Sequence, residues 1–145
     1  MSGPALRRVA SHSAIHEAAW HDANDAWQLA QKAWTLSNEE AFSQVVEVFL
    51  QVVETRILAH AHEEETGLYH EWLAIDTNRQ SVIDVLVLEH ERLRRLAAAI
   101  ENAMIQEHYD DAIWRMSRLL QIAAAHARHE EDVLRRLHDE EEVTE

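Results

Sequence analysis

Apolar residues return along this chain every three or four positions, in four long runs separated by short polar breaks. At about 100° per residue, positions three, four, seven and eleven apart share one helical face, so each run reads as a helix with a single core-facing stripe. The first helix starts near Pro4, a residue tolerated in a first turn, and extends to about Thr35. Ser37-Asn38-Glu39-Glu40 has the serine-x-x-glutamate form of a capping box and predicts a second helix, running to about Leu73. Asp76-Thr77-Asn78 offers three N-cap residues in succession ahead of a third helix, Arg79 to Gln106. After the break Glu107-His108-Tyr109-Asp110, a fourth helix ends near His138, and the acidic tail from Asp139 to Glu145 is expected to fray. Connections this short predict antiparallel neighbours. The expectation is an all-α fold: an up-down-up-down antiparallel four-helix bundle, one domain over residues 1–145.

Composition narrows the chemistry. Two glycines (Gly3 and Gly67) and one proline cannot supply the turns of a strand-rich fold, while Ala, Leu, Glu, Gln and Arg favour helix. The net charge of −14 repels phosphate backbones and argues against a nucleic-acid partner. With no cysteine, disulfides, thiolate zinc sites, iron–sulfur ligation and thiol catalysis are excluded, leaving His, Asp and Glu as strong metal ligands. No apolar stretch approaches the ~20 residues of a membrane span, and the first ten residues do not resemble a signal peptide. A cytoplasmic protein is expected, with its oligomeric state left open.

Eleven histidines are many for a chain of 145 residues, and their placement is not random. The predicted stripes are His16, Trp20, Ala23, Trp27, Ala30 and Trp34 on the first helix, and Phe42, Val46, Phe49, Val53, His60, Glu64 and Gly67 on the second. They continue as Ile83, Leu86, His90, Leu93 and Ala97 on the third, and Leu119, Ile122, His126, Glu130, Val133 and Leu137 on the fourth. A histidine interrupts each apolar stripe, and a buried polar group is costly unless something satisfies it. The order is also duplicated: His60 to Leu68 aligns without gaps with His126 to Leu134, and Ile15-His16-Glu17 parallels Glu89-His90-Glu91. Glu64 and Glu130 each lie one turn beyond a histidine and point the same way.

A lone core histidine is usually ordinary packing, and a single His-x-x-x-Glu is a common surface pair. Four inward histidines, two of them followed by Glu in a repeated order, point instead to a metal site. Two imidazoles on each of two ions, with the Glu64 and Glu130 carboxylates shared, would hold a divalent pair and leave positions open. The ligand mixture suits iron or manganese, and could also hold zinc. A different class, a haem-binding bundle using core histidines as axial ligands, is the alternative. A metal-free interaction module is a third.

The same angular test sends His21, His62, His70 and His138 to solvent, and His108 lies in a loop. His12, one turn before His16 on the core stripe, and His129, at the edge of its stripe, stand in reserve, as substitute ligands or as hydrogen-bond partners of ligands. The tryptophans at heptad spacing read as core packing, and Gly67 as a point of close helix approach. Tyr69 and Tyr109 are candidates for polar contacts to the ligands. Nothing marks a catalytic triad, a phosphate-cradling loop or a substrate pocket.

The pattern His16, His60-x-x-x-Glu64, His90, His126-x-x-x-Glu130 resembles the hemerythrin-like (HHE cation-binding) family, over Ser11 to Leu137. The resemblance implies an oxo- or hydroxo-bridged di-iron centre with those six residues as ligands. It also implies binding or sensing of oxygen, nitric oxide, peroxide or iron itself. Oxygen-carrying members have a further histidine one turn after the third helix's ligand. Arg94 stands there in this chain, which points away from simple reversible oxygen carriage; an arginine at the pocket could steady an anionic ligand, and a salt bridge is its ordinary role.

Overall fold

The computed structural model describes residues 8–144. They are almost entirely helical, with no strand among the described residues. Helix α1 is Val9–Thr35; the expected start at Pro4 lies outside the described residues. Helix α2 is one continuous rod over residues 39–75, in which the α-helical stretches Glu39–Val52, Ala59–Glu63 and Tyr69–Ile75 alternate with wider π turns at Val53–Leu58 and Glu64–Leu68. A 3₁₀ turn, Thr77–Arg79, leads into α3, Gln80–Ile105, and α4 is Tyr109–Thr144. None of these helices is long and apolar enough to cross a membrane.

The turns differ from the sequence reading in instructive ways. The cap of α2 is Asn38, whose side chain accepts a hydrogen bond from the Ala41 N–H at 3.1 Å, and not Ser37. Ser37 cannot serve because it occupies the left-handed region, with φ 54°, and closes α1. There the Asn38 N–H reaches back to the Ala33 carbonyl and the Ser37 N–H to Trp34, the paired bonds of a Schellman motif. The α3–α4 turn repeats this arrangement, with Glu107 at φ 62°, His108 bonding to Ala103 and Glu107 to Met104. Asp76 caps the 3₁₀ turn through the Asn78 N–H.

The expected fraying after His138 is not found: α4 continues to Thr144. Arg79, buried where α3 begins, binds the Glu141 carboxylate at 3.2 Å and also donates to the Trp72 carbonyl, fastening that last stretch to the bundle.

Two apolar clusters form the core. One gathers Phe42, Phe49, Val53, Leu93, Ile100, Met116 and Leu119, the other Leu68, Trp72, Ile83, Leu86, Val133 and Leu137. On each of α2, α3 and α4 the polar residues lie between a member of one cluster and a member of the other. The inward face of α1 departs from expectation. Its buried residues are His12, Ala19, Ala23, Ala26, Ala30 and Ala33, whereas Trp20 and Trp27 are half-buried at the flanks and Trp34 is 39% exposed. Alanine at these alternating steps of four and three lets α1 lie close against its neighbours.

Candidate metal centre

The π turns of α2 decide which of its side chains look inward. In the second, the Tyr69 N–H bonds to the Glu64 carbonyl, five residues back, so these two residues share a face as they would not in a regular helix. In the first, the Ala59 N–H bonds to Glu54 in the same way, just before His60. Glu64, Gly67, Leu68 and Tyr69 are all buried as a result.

Seven side chains from the four helices converge between the two apolar clusters. Their ligand atoms form two overlapping groups: His12, His16 and His60 with Glu64 and Glu130, and His90 and His126 with the same two carboxylates. In the first group the His12 Nε2 lies 3.2 Å from the His16 Nε2, 3.3 Å from the His60 Nε2, 2.8 Å from Glu64 Oε2 and 2.7 Å from Glu130 Oε1. In the second, the His90 and His126 Nε2 atoms are 3.0 Å apart. Here Glu64 offers its other oxygen, Oε1, 3.2 Å from His90, and Glu130 offers Oε2, 3.6 Å from His126. Each carboxylate therefore sends one oxygen to each group. Two ligands held about 2.0–2.1 Å from one ion, at right or tetrahedral angles, stand roughly 2.8–3.4 Å apart. Most of the distances within each group fall in or near that range, from 2.7 Å for His12–Glu130 to 3.7 Å for His16–Glu64.

An outer ring of carboxylates fixes which nitrogen faces inward. His16 donates its Nδ1–H to Glu131 at 2.9 Å, His90 to Glu65 at 2.5 Å and His126 to Glu89 at 2.6 Å. A carboxylate only accepts, so these Nδ1 atoms carry protons and, in the neutral rings, the Nε2 lone pairs point at the centre. Glu89 also accepts from His129 Nδ1, and Glu65 from Arg94. On the side of Glu130, the Tyr69 hydroxyl donates to Oε2, and its ring stacks on His90 with centroids 5.8 Å apart.

So many inward acceptors need positive charge among them. With protons alone to supply it, burial would lower the imidazole pKa values, but hydrogen bonds to Glu130 and Glu64 override it. His12 is raised to about 10 and His16 to about 9. His126 is likewise raised to about 10, against its burial, by Glu130 and Glu89. Burial opposes ionisation of Glu64 too, yet its carboxyl is held well below the usual range by hydrogen bonds to its neighbours, His12 and His16 among them. Burial, with the nearby charges of Glu130 and Glu64, pushes the Tyr69 phenol upward, so it stays a donor. A cation would do the work of these protons, in competition with them.

The structure thus brings together His16, His60, Glu64, His90, His126 and Glu130, and adds His12, which the sequence holds in reserve, and Tyr69, one of its two candidates for a polar contact. His12 is fully buried at the middle of the first group, and Tyr69 abuts the second. Arg94 does not enter the cluster; it pairs with Glu65 and Glu91 and so steadies the residue that orients His90. His129 is a partner of Glu89 rather than a ligand. His21, His62, His70 and His138 are exposed, as the angular test predicts, and so is His108. Tyr109 is remote from the site and packs against Trp34 and Phe42.

On the face of the cluster away from His12, Glu130 and Tyr69 lies a cavity of about 250 Å³ that touches His16, His60, Glu64, His90 and His126. No protein-family model, curated protein or solved structure matches the chain.

Proposed function

We propose that this chain is a hemerythrin-like protein that holds two iron ions between four helices and presents them to a small diatomic or peroxidic ligand. The observation that carries the reading is the split of two buried carboxylates, each with one oxygen toward His12 and His16 and the other toward the second group, Glu64 to His90 and Glu130 to His126. That is a donor set for a bridged pair of cations. Nitrogen and oxygen donors without thiolate suit iron or manganese, with zinc as a competitor. An up-down-up-down course belongs to the same reading. Val9 on α1 packs on the second apolar cluster and Ala23 belongs to the first; α2 meets the clusters in the reverse order, α3 in the order of α1, and α4 in that of α2.

When bound, an iron pair supplies one-electron changes at each metal and positions for an incoming ligand. The chain's residues do the rest. Glu131, Glu65 and Glu89 keep the imidazole Nε2 atoms turned inward. Tyr69 holds a proton at Glu130 Oε2, beside the position with only two histidines and hence the more open one. Leu93 and Ala61, both buried, give the pocket side of the imidazoles an apolar lining. With His12 the histidines number five, the extra one coming from α1 instead of the Arg94 position. A porphyrin is less well supported. Its two axial imidazoles would stand across the iron, about 4 Å apart with a macrocycle between, whereas these nitrogens meet at 3.0–3.3 Å among carboxylates.

Elemental analysis of freshly purified protein beside its absorption spectrum tests the reading. Two irons per chain with near-ultraviolet charge-transfer bands are expected, and His60→Ala with His126→Ala should abolish both. An intense porphyrin band, or unchanged metal content in that double variant, would overturn it.

A further inference from the structure

The cavity beside the cluster is several times larger than a diatomic ligand needs. It measures about 250 Å³, whereas a water molecule's share of liquid volume is about 30 Å³ and an apolar protein cavity of about 150 Å³ stays dry and binds benzene. Its space exists because three helices place alanine where a larger residue would fill it: Ala19 on α1, Ala61 on α2, and Ala123 and Ala127 on α4, with Ile57 and Leu93 completing an apolar wall. The opposite wall is the cluster itself, reached through His16 and His60 on one side and His90 and His126 on the other. The other charged residues of the lining are Glu17, Arg56, Arg128 and Glu131, of which all but Glu131 are exposed. Arg56 is already paired with Asp22 at 2.5 Å, and Glu131 with His16. The walls thus offer little to a charged or strongly polar molecule, except at the cluster.

We infer that this cavity binds an uncharged, apolar organic molecule of about one aromatic ring, held against both cation positions with any single oxygen function directed at the cluster. This rests on the di-iron reading for its chemistry, but not for its occupancy, since the wall of Ile57, Leu93 and alanines is present without the ions. It gives the site a substrate class that a carrier of diatomic gases would not need.

Toluene is the probe, titrated into the full chain with its metal bound and again after chelation. The methyl resonances of Ile57 and Leu93 should shift saturably, while those of Val85 and Leu88, exposed on α3, stay in place. Ala127→Phe should weaken binding at least tenfold with metal content unchanged. Should that variant fold poorly, Ala123→Leu, at a half-buried position of the same wall, should weaken binding in the same direction. A chain that holds its two metal ions yet shows no saturable shift up to the solubility of toluene would overturn the inference and leave the di-iron reading standing. Undiminished affinity in a folded cavity-filling variant would overturn it as well. Toluene binding in a chain that takes up no metal would uphold the cavity and sink the di-iron reading instead.

Discussion

His12 illustrates what one side chain can decide. Its Nε2 stands within 2.7–2.8 Å of both carboxylates and beside two other imidazoles, so removing it takes a donor from the three-histidine position alone. His12→Ala should lower metal content from two ions per chain toward one, measured by elemental analysis, whereas His21→Ala, at an exposed position, should leave it unchanged. Tyr69→Phe deprives a fully buried carboxylate oxygen of its donor; about 1–3 kcal/mol of stability should be lost in the metal-free protein, read from urea unfolding. A smaller loss would mean that another group satisfies Glu130. The residues His16, His60, Glu64, His90, His126 and Glu130 are legible in the sequence because each breaks an apolar stripe in a repeated order. His12 is legible too, one turn before His16, but only as a reserve. It becomes a full member of the site once the stripe is drawn through the alanines, where His12, His16, Ala19, Ala23, Ala26, Ala30 and Ala33 follow one another in steps of four and three. Bulk made the tryptophans look central, but the close approach of α1 favours the smallest side chains there.

At the scale of the element, helix existence and approximate ends follow from periodicity and caps, while the finer geometry does not. The π turns of α2 have no signature in residue type, since an extra residue per turn is selected by what packs around it. They bring Tyr69 under Glu64, which a regular helix of the same sequence would turn aside. The acidic end of α4 likewise reads as a solvated tail until Arg79, distant in sequence, meets Glu141. The two Schellman turns carry a cost that glycine would remove, because Ser37 and Glu107 hold left-handed conformations with a Cβ. Glu107→Gly and Ser37→Gly should each raise stability by up to about 1 kcal/mol, seen as a higher midpoint in thermal unfolding. A lowered midpoint would show that flexibility gained by the unfolded chain outweighs the relieved strain.

For the whole molecule, the protonated cluster ties stability to pH. In the metal-free protein His12, His16 and His126 bind protons more tightly than their ordinary value of 6.5, with pKa values near 9 to 10. Their contribution is complete below about pH 6.5 and disappears as pH climbs through 9 to 10, so the melting temperature should fall over that interval. Bound metal ions would replace those protons, so protein loaded with metal should show a much flatter profile across the same range. Scanning calorimetry of both forms checks this; a metal-free melting temperature that rises from pH 7 to 10 would contradict the raised imidazoles.

The alanine face of α1 has a consequence for how the molecule is fastened. A buried methyl contributes on the order of 0.8 kcal/mol, a buried Leu or Phe about 1.5–3, so this helix clings less firmly through its apolar contacts than the three that carry Phe42, Leu86 or Leu119. Beyond Trp20, which donates to the Leu120 carbonyl, its polar anchors in the bundle are His12 and His16. Cations would rivet those two imidazoles to α2 and α4, and chelation would draw the rivets. Amide hydrogen exchange along α1 should therefore quicken on chelation more than exchange along α4, making the first helix a clasp whose grip records whether the ions are aboard.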